Sequence, residues 1–118
     1  MRGHRIIQNH HSWQFEFIPN NSNTQHVGYS KFYDTYDACK QGVLEFRELV
    51  LKNQIHNLDT SFTNVVIHNN KGIVEYIYKG EAIFRSREFY QNNPKTSCKK
   101  SVASIYKYIE EYTAKQLT

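Results

Sequence analysis

The chain has 118 residues, 39% hydrophobic and 22% charged, with a formal net charge of +4. That length fits one folding unit, and the compositional signature of disorder is absent. No run nears the roughly 18–20 apolar residues of a membrane-spanning helix, and two cysteines cannot make a disulfide framework. Nine Tyr, seven Phe and one Trp bring the aromatic share to 14%, so rings must supply much of the core.

The chain opens Met1-Arg2-Gly3-His4-Arg5-Ile6-Ile7, with too short an apolar stretch for a secretory signal. A cytoplasmic address with reduced thiols is therefore expected, and the Asn20-Asn21-Ser22 sequon carries no glycan there. Arg5 to Gln8 reads as a short strand and Asn9-His10-His11-Ser12 as a turn. Trp13, Phe15 and Phe17 alternate with Gln14 and Glu16, the period of a half-buried strand. Pro19-Asn20-Asn21-Ser22-Asn23 is a loop by its turn formers, and His26 to Phe32 is a third strand. Asp34 is placed as the N-cap of a helix. Cys39, Val43, Phe46 and Val50 form that helix's apolar stripe.

The second half repeats these signals. Thr63 to His68 is a strand, Asn69-Asn70-Lys71-Gly72 a turn, and Ile73 to Tyr78 the next strand. Lys79-Gly80-Glu81 closes a hairpin onto a third strand, Ala82 to Phe89. Asn93 caps a helix with Pro94 at its first position, where the missing N–H costs nothing. Cys98, Val102, Ile105 and Ile109 make the matching stripe, in a helix ending near Lys115. Phe32-Tyr33 recurs as Phe89-Tyr90, and Cys39-Lys40-Gln41-Gly42-Val43 as Cys98-Lys99-Lys100-Ser101-Val102. The reading is an α+β fold: a single domain, 1–118, of two β-β-β-α repeats (about 1–57 and 58–118). Units this small must share one core, which predicts one antiparallel sheet with both helices on one face. Position 42 is expected where the first helix meets the sheet closely.

This pattern, in Gly28-Tyr29-Ser30-Lys31-Phe32-Tyr33 with Ala38-Cys39-Lys40-Gln41-Gly42-Val43, and in Lys79-Gly80-Glu81-Ala82-Ile83 with Ser97-Cys98-Lys99-Lys100-Ser101-Val102, resembles the YegP-like family of small tandem-repeat proteins. The resemblance spans nearly the whole chain. It departs from the family's pattern where copy one has a longer loop in place of the hairpin, and where Ser101 stands opposite Gly42. It implies three strands, a helix and a further strand per unit, merged into a single sheet by exchanged terminal strands. It implies no catalytic residues.

The residues point away from enzyme chemistry. Cys39 and Cys98 recur at equivalent helix positions, as small buried side chains would, and neither has a Cys-x-x-Cys partner. The six histidines, His4, His10, His11, His26, His56 and His68, form no metal-binding helical pair. Glu45, Glu48, Glu110 and Glu111 belong to solvated helix faces. No Gly-rich phosphate loop or serine elbow occurs. No catalytic residue, metal site or cofactor is assigned. Residues 61–118 carry nine Lys/Arg against five Asp/Glu, the whole net charge. If Ala82, Phe84 and Ser86 face the helices, Arg85 and Arg87 point to the open sheet face. There Lys79 would join them beside Glu75 and Ile77. Lys79, Arg85 and Arg87 are thus the candidate anion or nucleic-acid surface; copy one offers only Glu16 and Gly28 at comparable places. The favoured reading is a non-enzymatic interaction or structural module, able to self-associate through sheet edges as a homodimer or to bind a protein partner. Nucleic-acid binding through the basic second half is the alternative; no membrane role is expected.

Overall fold

The computed structural model describes residues 3–18, 28–58, 61–90 and 94–117. Strands β1 (Gly3–Asn9), β2 (Ser12–Ile18) and β3 (Gly28–Ser30) precede helix α1 (Tyr36–Lys52). Strands β4 (Thr63–His68), β5 (Lys71–Tyr78), β6 (Glu81–Ser86) and β7 (Phe89–Tyr90) precede helix α2 (Pro94–Leu117). The strands form an antiparallel sheet in the order β1-β2-β3-β6-β5-β4, with β7 pairing β5 off this path. The expected α+β class, with one antiparallel sheet and two helices, is what the chain adopts. The two edges of the path are β1 and β4.

The core is built of rings. Phe15, Phe17, Val74, Tyr76 and Phe84 are fully buried from the sheet. Phe46 of α1 stacks on Phe84 at 4.2 Å between centroids and meets Tyr76 edge-on at 5.1 Å. Tyr108 of α2 meets Phe17 at 5.9 Å. The predicted helix stripes are both buried, Cys39, Val43, Phe46 and Val50 in one and Cys98, Val102, Ile105 and Ile109 in the other. A ring face against a ring face fills volume that the 22 Ile, Leu and Val residues could not fill alone.

Two glycines make these contacts feasible. A Cβ on Gly28 would run into the Arg85 carbonyl and the Phe84 ring. A Cβ on Gly42 would run into the Tyr33 ring and hydroxyl, so the close approach expected at position 42 is to Tyr33.

Several boundaries differ from expectation. The N-cap of α1 is Thr35, not Asp34. Thr35 is extended (φ −131°, ψ 158°) and its hydroxyl accepts from the Ala38 N–H at 3.0 Å. Both residue types cap well. The choice falls to Thr35 because Tyr33 is held to β2 by paired backbone bonds with Trp13 (2.8 and 2.7 Å), which sets where the chain turns. At the other end, Gln54 adopts φ 49° and Ile55 donates back to the Val50 carbonyl at 3.0 Å, a left-handed cap with Ile55 buried behind it. Lys71 and Gly72 belong to β5; the turn is Asn69-Asn70, both at positive φ (51° and 63°), the hairpin geometry that asparagine tolerates. The single strand expected over Ala82 to Phe89 is broken at Arg87-Glu88 into β6 and β7.

β6 also departs from strict alternation. Tyr76 lies opposite Phe84 but Ile77 opposite Ala82, so Ile83 is an extra, bulged residue. Ile83 and Phe84 are both buried, and Ala82 joins the row of Ile77 instead of facing the helices. The predicted loop 19–23, His26 and the predicted cap Asn93 lie outside the described residues.

Candidate interaction surfaces

On the face away from the rings, one transverse row crosses the six strands of the main path. Its register runs Arg5, Glu16, Tyr29, Arg85, Glu75, Asn64. The Arg5 guanidinium meets the Glu16 carboxylate. Glu16, expected to be exposed, is fully buried between its cross-strand neighbours. Tyr29 binds the same carboxylate; burial first, and that neighbouring charge next, push its phenol pKa up. Arg85 Nε donates to Glu75 Oε2 at 2.7 Å, and Asn64 Nδ2 to Glu75 Oε1 at 3.2 Å. Opposite charges alternate along the row, the arrangement that stabilises cross-strand pairs.

The three sequence-predicted site residues sit at different places: Lys79 in the β5–β6 turn, Arg85 within β6 and Arg87 past its end. Arg85 does lie on the open face, but its guanidinium is engaged by Glu75. Lys79 is not on the strand face: it occupies the β5–β6 turn at φ 52°, with Nζ over the Tyr78 ring at 5.2 Å. A left-handed residue at a hairpin tip no longer follows strand alternation. Arg87 is exposed past the end of β6.

Cys39 and Cys98 are buried and unbonded to each other. Burial pushes the Cys39 thiol up to about 11 and raises Cys98 as well, away from the thiolate that nucleophilic chemistry needs. His10 and His11 are exposed in the β1–β2 turn, and His68 is exposed at the end of β4. The exposed His56 ring lies edge-on to Tyr106, and His4 is half-buried near Phe17. Among the described residues no three His, Cys, Asp or Glu side chains gather as a metal site. Also among them, no helix is long and apolar enough to cross a membrane. Glu45 and Glu48, read as solvated, line an open hollow of about 200 Å³ with Leu49, Lys52, Asn53 and Tyr78.

The surface that sequence reasoning missed is the β4 edge. Thr63–His68 contains no charge, no proline and no bulge, the usual guards of an exposed edge. Val66 and Ile67 are 41% and 51% exposed. The opposite edge, β1, carries Arg5. The backbone pattern shows which β4 groups face outward. Ile77 donates to the Phe62 carbonyl (2.7 Å), so Phe62, Asn64 and Val66 turn their backbone groups toward β5. The Val74 N–H agrees, since it points the other way, to Ser86 Oγ at 2.9 Å. Val65 and Ile67 therefore aim their N–H and C=O groups off the sheet. The uncharged run was visible in the sequence; its position at an edge was not. Compared with family models, curated proteins and solved structures, the chain matches none.

Proposed function

We propose that the chain is a non-enzymatic interaction module, cytoplasmic in address, that works by adding a partner's strand to the β4 edge. The observation that carries this reading is the uncharged β4 edge, where outward backbone groups coincide with exposed Val66 and Ile67. Strand addition satisfies both, giving main-chain hydrogen bonds and apolar cover together. The charged groups of the open face support the same reading, because they are committed to one another across the sheet.

In this reading the scaffold is one domain of two β-β-β-α repeats, akin to the YegP-like pattern. Support comes from equivalent local devices. Ser30 Oγ accepts the Phe15 N–H at 2.9 Å and donates to the Lys31 carbonyl at 2.7 Å. Ser86 Oγ accepts the Val74 N–H at 2.9 Å and donates to the Arg87 carbonyl at 3.0 Å. After each serine the chain parts from the preceding strand, then rejoins it, at Tyr33 in one half and at Phe89-Tyr90 in the other. The strand order also places β3 and β6 side by side at the centre, with the matching hairpins outside them.

Binding can be tested with a synthetic peptide of the β4 sequence, Thr63–His68, in excess over the full chain. The Val65 and Ile67 amide resonances should shift and their hydrogen exchange should slow. No change there, or change confined to β1, overturns edge addition.

A second reading, nucleic-acid binding by the basic half, is favoured by α2. Lys95, Lys99, Lys100 and Lys107 are exposed and precede the first acidic residue of the helix, Glu110. They would offer phosphates a basic helix surface. A mobility shift of random DNA or RNA that weakens with salt would support it, and no shift at low salt would dispose of it.

A further inference from the structure

We propose that the strand received at the β4 edge is the β4 of a second copy, and that two chains pair antiparallel about a twofold axis at Val66. This inference rests on the edge-addition reading above and names its partner.

Two constraints limit the register, and the exposure of Val66 and Ile67 selects among the registers they allow. Residues opposite each other must face the same side of a continuous sheet, or inner and outer side chains would be exchanged. Thr63 and Val65 lie opposite the buried Tyr76 and Val74, so Thr63, Val65 and Ile67 belong to the helix side. Asn64, Val66 and His68 belong to the open side. The pairs must also be ones whose backbone groups point outward, which are Val65 and Ile67. Both constraints are met when Val65 of one copy faces Ile67 of the other, each pair exchanging both N–H···O bonds. Val66 then faces Val66 across the axis as a non-hydrogen-bonded pair, where side chains come closest.

This arrangement covers what the single chain leaves open. Ile67 gains the second copy's Val65 on the helix side, and Val66 gains its own equivalent on the open side. Covering Val66 and Ile67 takes a strand with apolar side chains at matching positions, and β4 already is one. The edge brings no charge to itself, so self-pairing meets no like-charge repulsion. One strand pair is smaller than a standard interface of roughly 1,200–2,000 Å², so the dimer should be weak, with a dissociation constant of about micromolar or above.

The test is disulfide trapping in the full chain with Val66→Cys, Ile67→Cys and Asn64→Cys, each at an exposed site. Under mild oxidation Val66→Cys should cross-link into a dimer at least about tenfold faster than the other two, whose equivalents are displaced along the strand beyond disulfide reach. The native Cys39 and Cys98 are buried and serve as the background. Sedimentation of the unaltered chain should show a dimer that grows with concentration, and Val66→Lys, which sets two ammonium groups face to face, should abolish it. Faster trapping at Ile67 or Asn64 overturns the register and the proposal. A chain that stays monomeric near about 1 mM also overturns it. If the β4 peptide still shifts Val65 and Ile67 in that case, edge addition stands and only the self-pairing falls; if the peptide also fails, both fall.

Discussion

His4 shows how one side chain couples the fold to pH. It sits opposite Phe17 in the β1–β2 ladder, with its ring 6.4 Å from the Phe17 ring. Burial, and secondarily the Arg47 charge, lower its pKa below 6.5. The folded chain therefore binds the proton less readily than the unfolded chain, so the contribution of neutral His4 is intact above about pH 6.5 and is lost as pH falls through the folded pKa. Melting temperature should drop between about pH 7 and 5, and His4→Asn should flatten that drop; an unchanged slope would remove His4 as its source. Tyr76 illustrates a buried polar atom without compensation. Its side chain is fully buried and its hydroxyl has no hydrogen-bond partner among the described residues, while burial pushes its pKa well up. Tyr76→Phe removes that hydroxyl and keeps the ring that Phe46 and Phe84 meet. Denaturant unfolding should show the variant as stable as the parent or more stable by about 1–3 kcal/mol, the usual penalty of an unsatisfied buried group.

At the scale of elements, the serines that end β3 and β6 perform the same task. Each takes a buried backbone N–H from the neighbouring strand just where the regular ladder stops. Ser30→Ala strands the Phe15 N–H and Ser86→Ala strands the Val74 N–H. Each substitution should cost about 1–3 kcal/mol in chemical denaturation, because a buried donor without an acceptor loses its solvation with no return. Similar losses are expected for both, and a near-zero loss at either would show that its strand end re-pairs without the hydroxyl. The bulge at Ile83 matters in the same region. It buries the consecutive residues Ile83 and Phe84, of which alternation alone would bury only one.

For the whole molecule, the core crosses the midpoint of the chain. Phe46 from the first half meets Phe15 and Phe17 of its own half and Tyr76 and Phe84 of the second. Tyr108 from the second half reaches Phe17 in the first, and β3 pairs β6 at the junction. Segments 1–57 and 58–118 expressed apart would each expose one side of these contacts. Backbone ordering costs about 1–2 kcal/mol per residue, which a unit of that size seldom offsets alone. Each segment should be unfolded by circular dichroism or should sediment as a self-paired dimer. A segment that is monomeric and melts cooperatively would show that the two halves do not need a shared core.

Local pattern was enough to place most strands, both helices and both apolar stripes. Period-two rings in Trp13 to Phe17, turn formers at Asn69-Asn70, and the four-residue spacing of Cys39-Val43 and Cys98-Val102 are properties of neighbouring residues. So is the burial of both cysteines, which follows from their place on those stripes. The candidate site was legible only in part. Thr63–His68 reads as a strand, but whether it is central or an edge depends on which strands lie beside it. The three cations read as one face under strict alternation, which the turn at Lys79 and the Glu75 partner of Arg85 revised. Glu16 looked exposed because its own strand alternates; Arg5 and Tyr29, arriving from two other strands, bury it. Periodicity and capping act within a few residues, so the sequence by itself determined the elements. Strand order, register and edges are set by contacts between residues far apart in the chain, so only the tertiary structure decided which of those elements lies at an edge of the sheet.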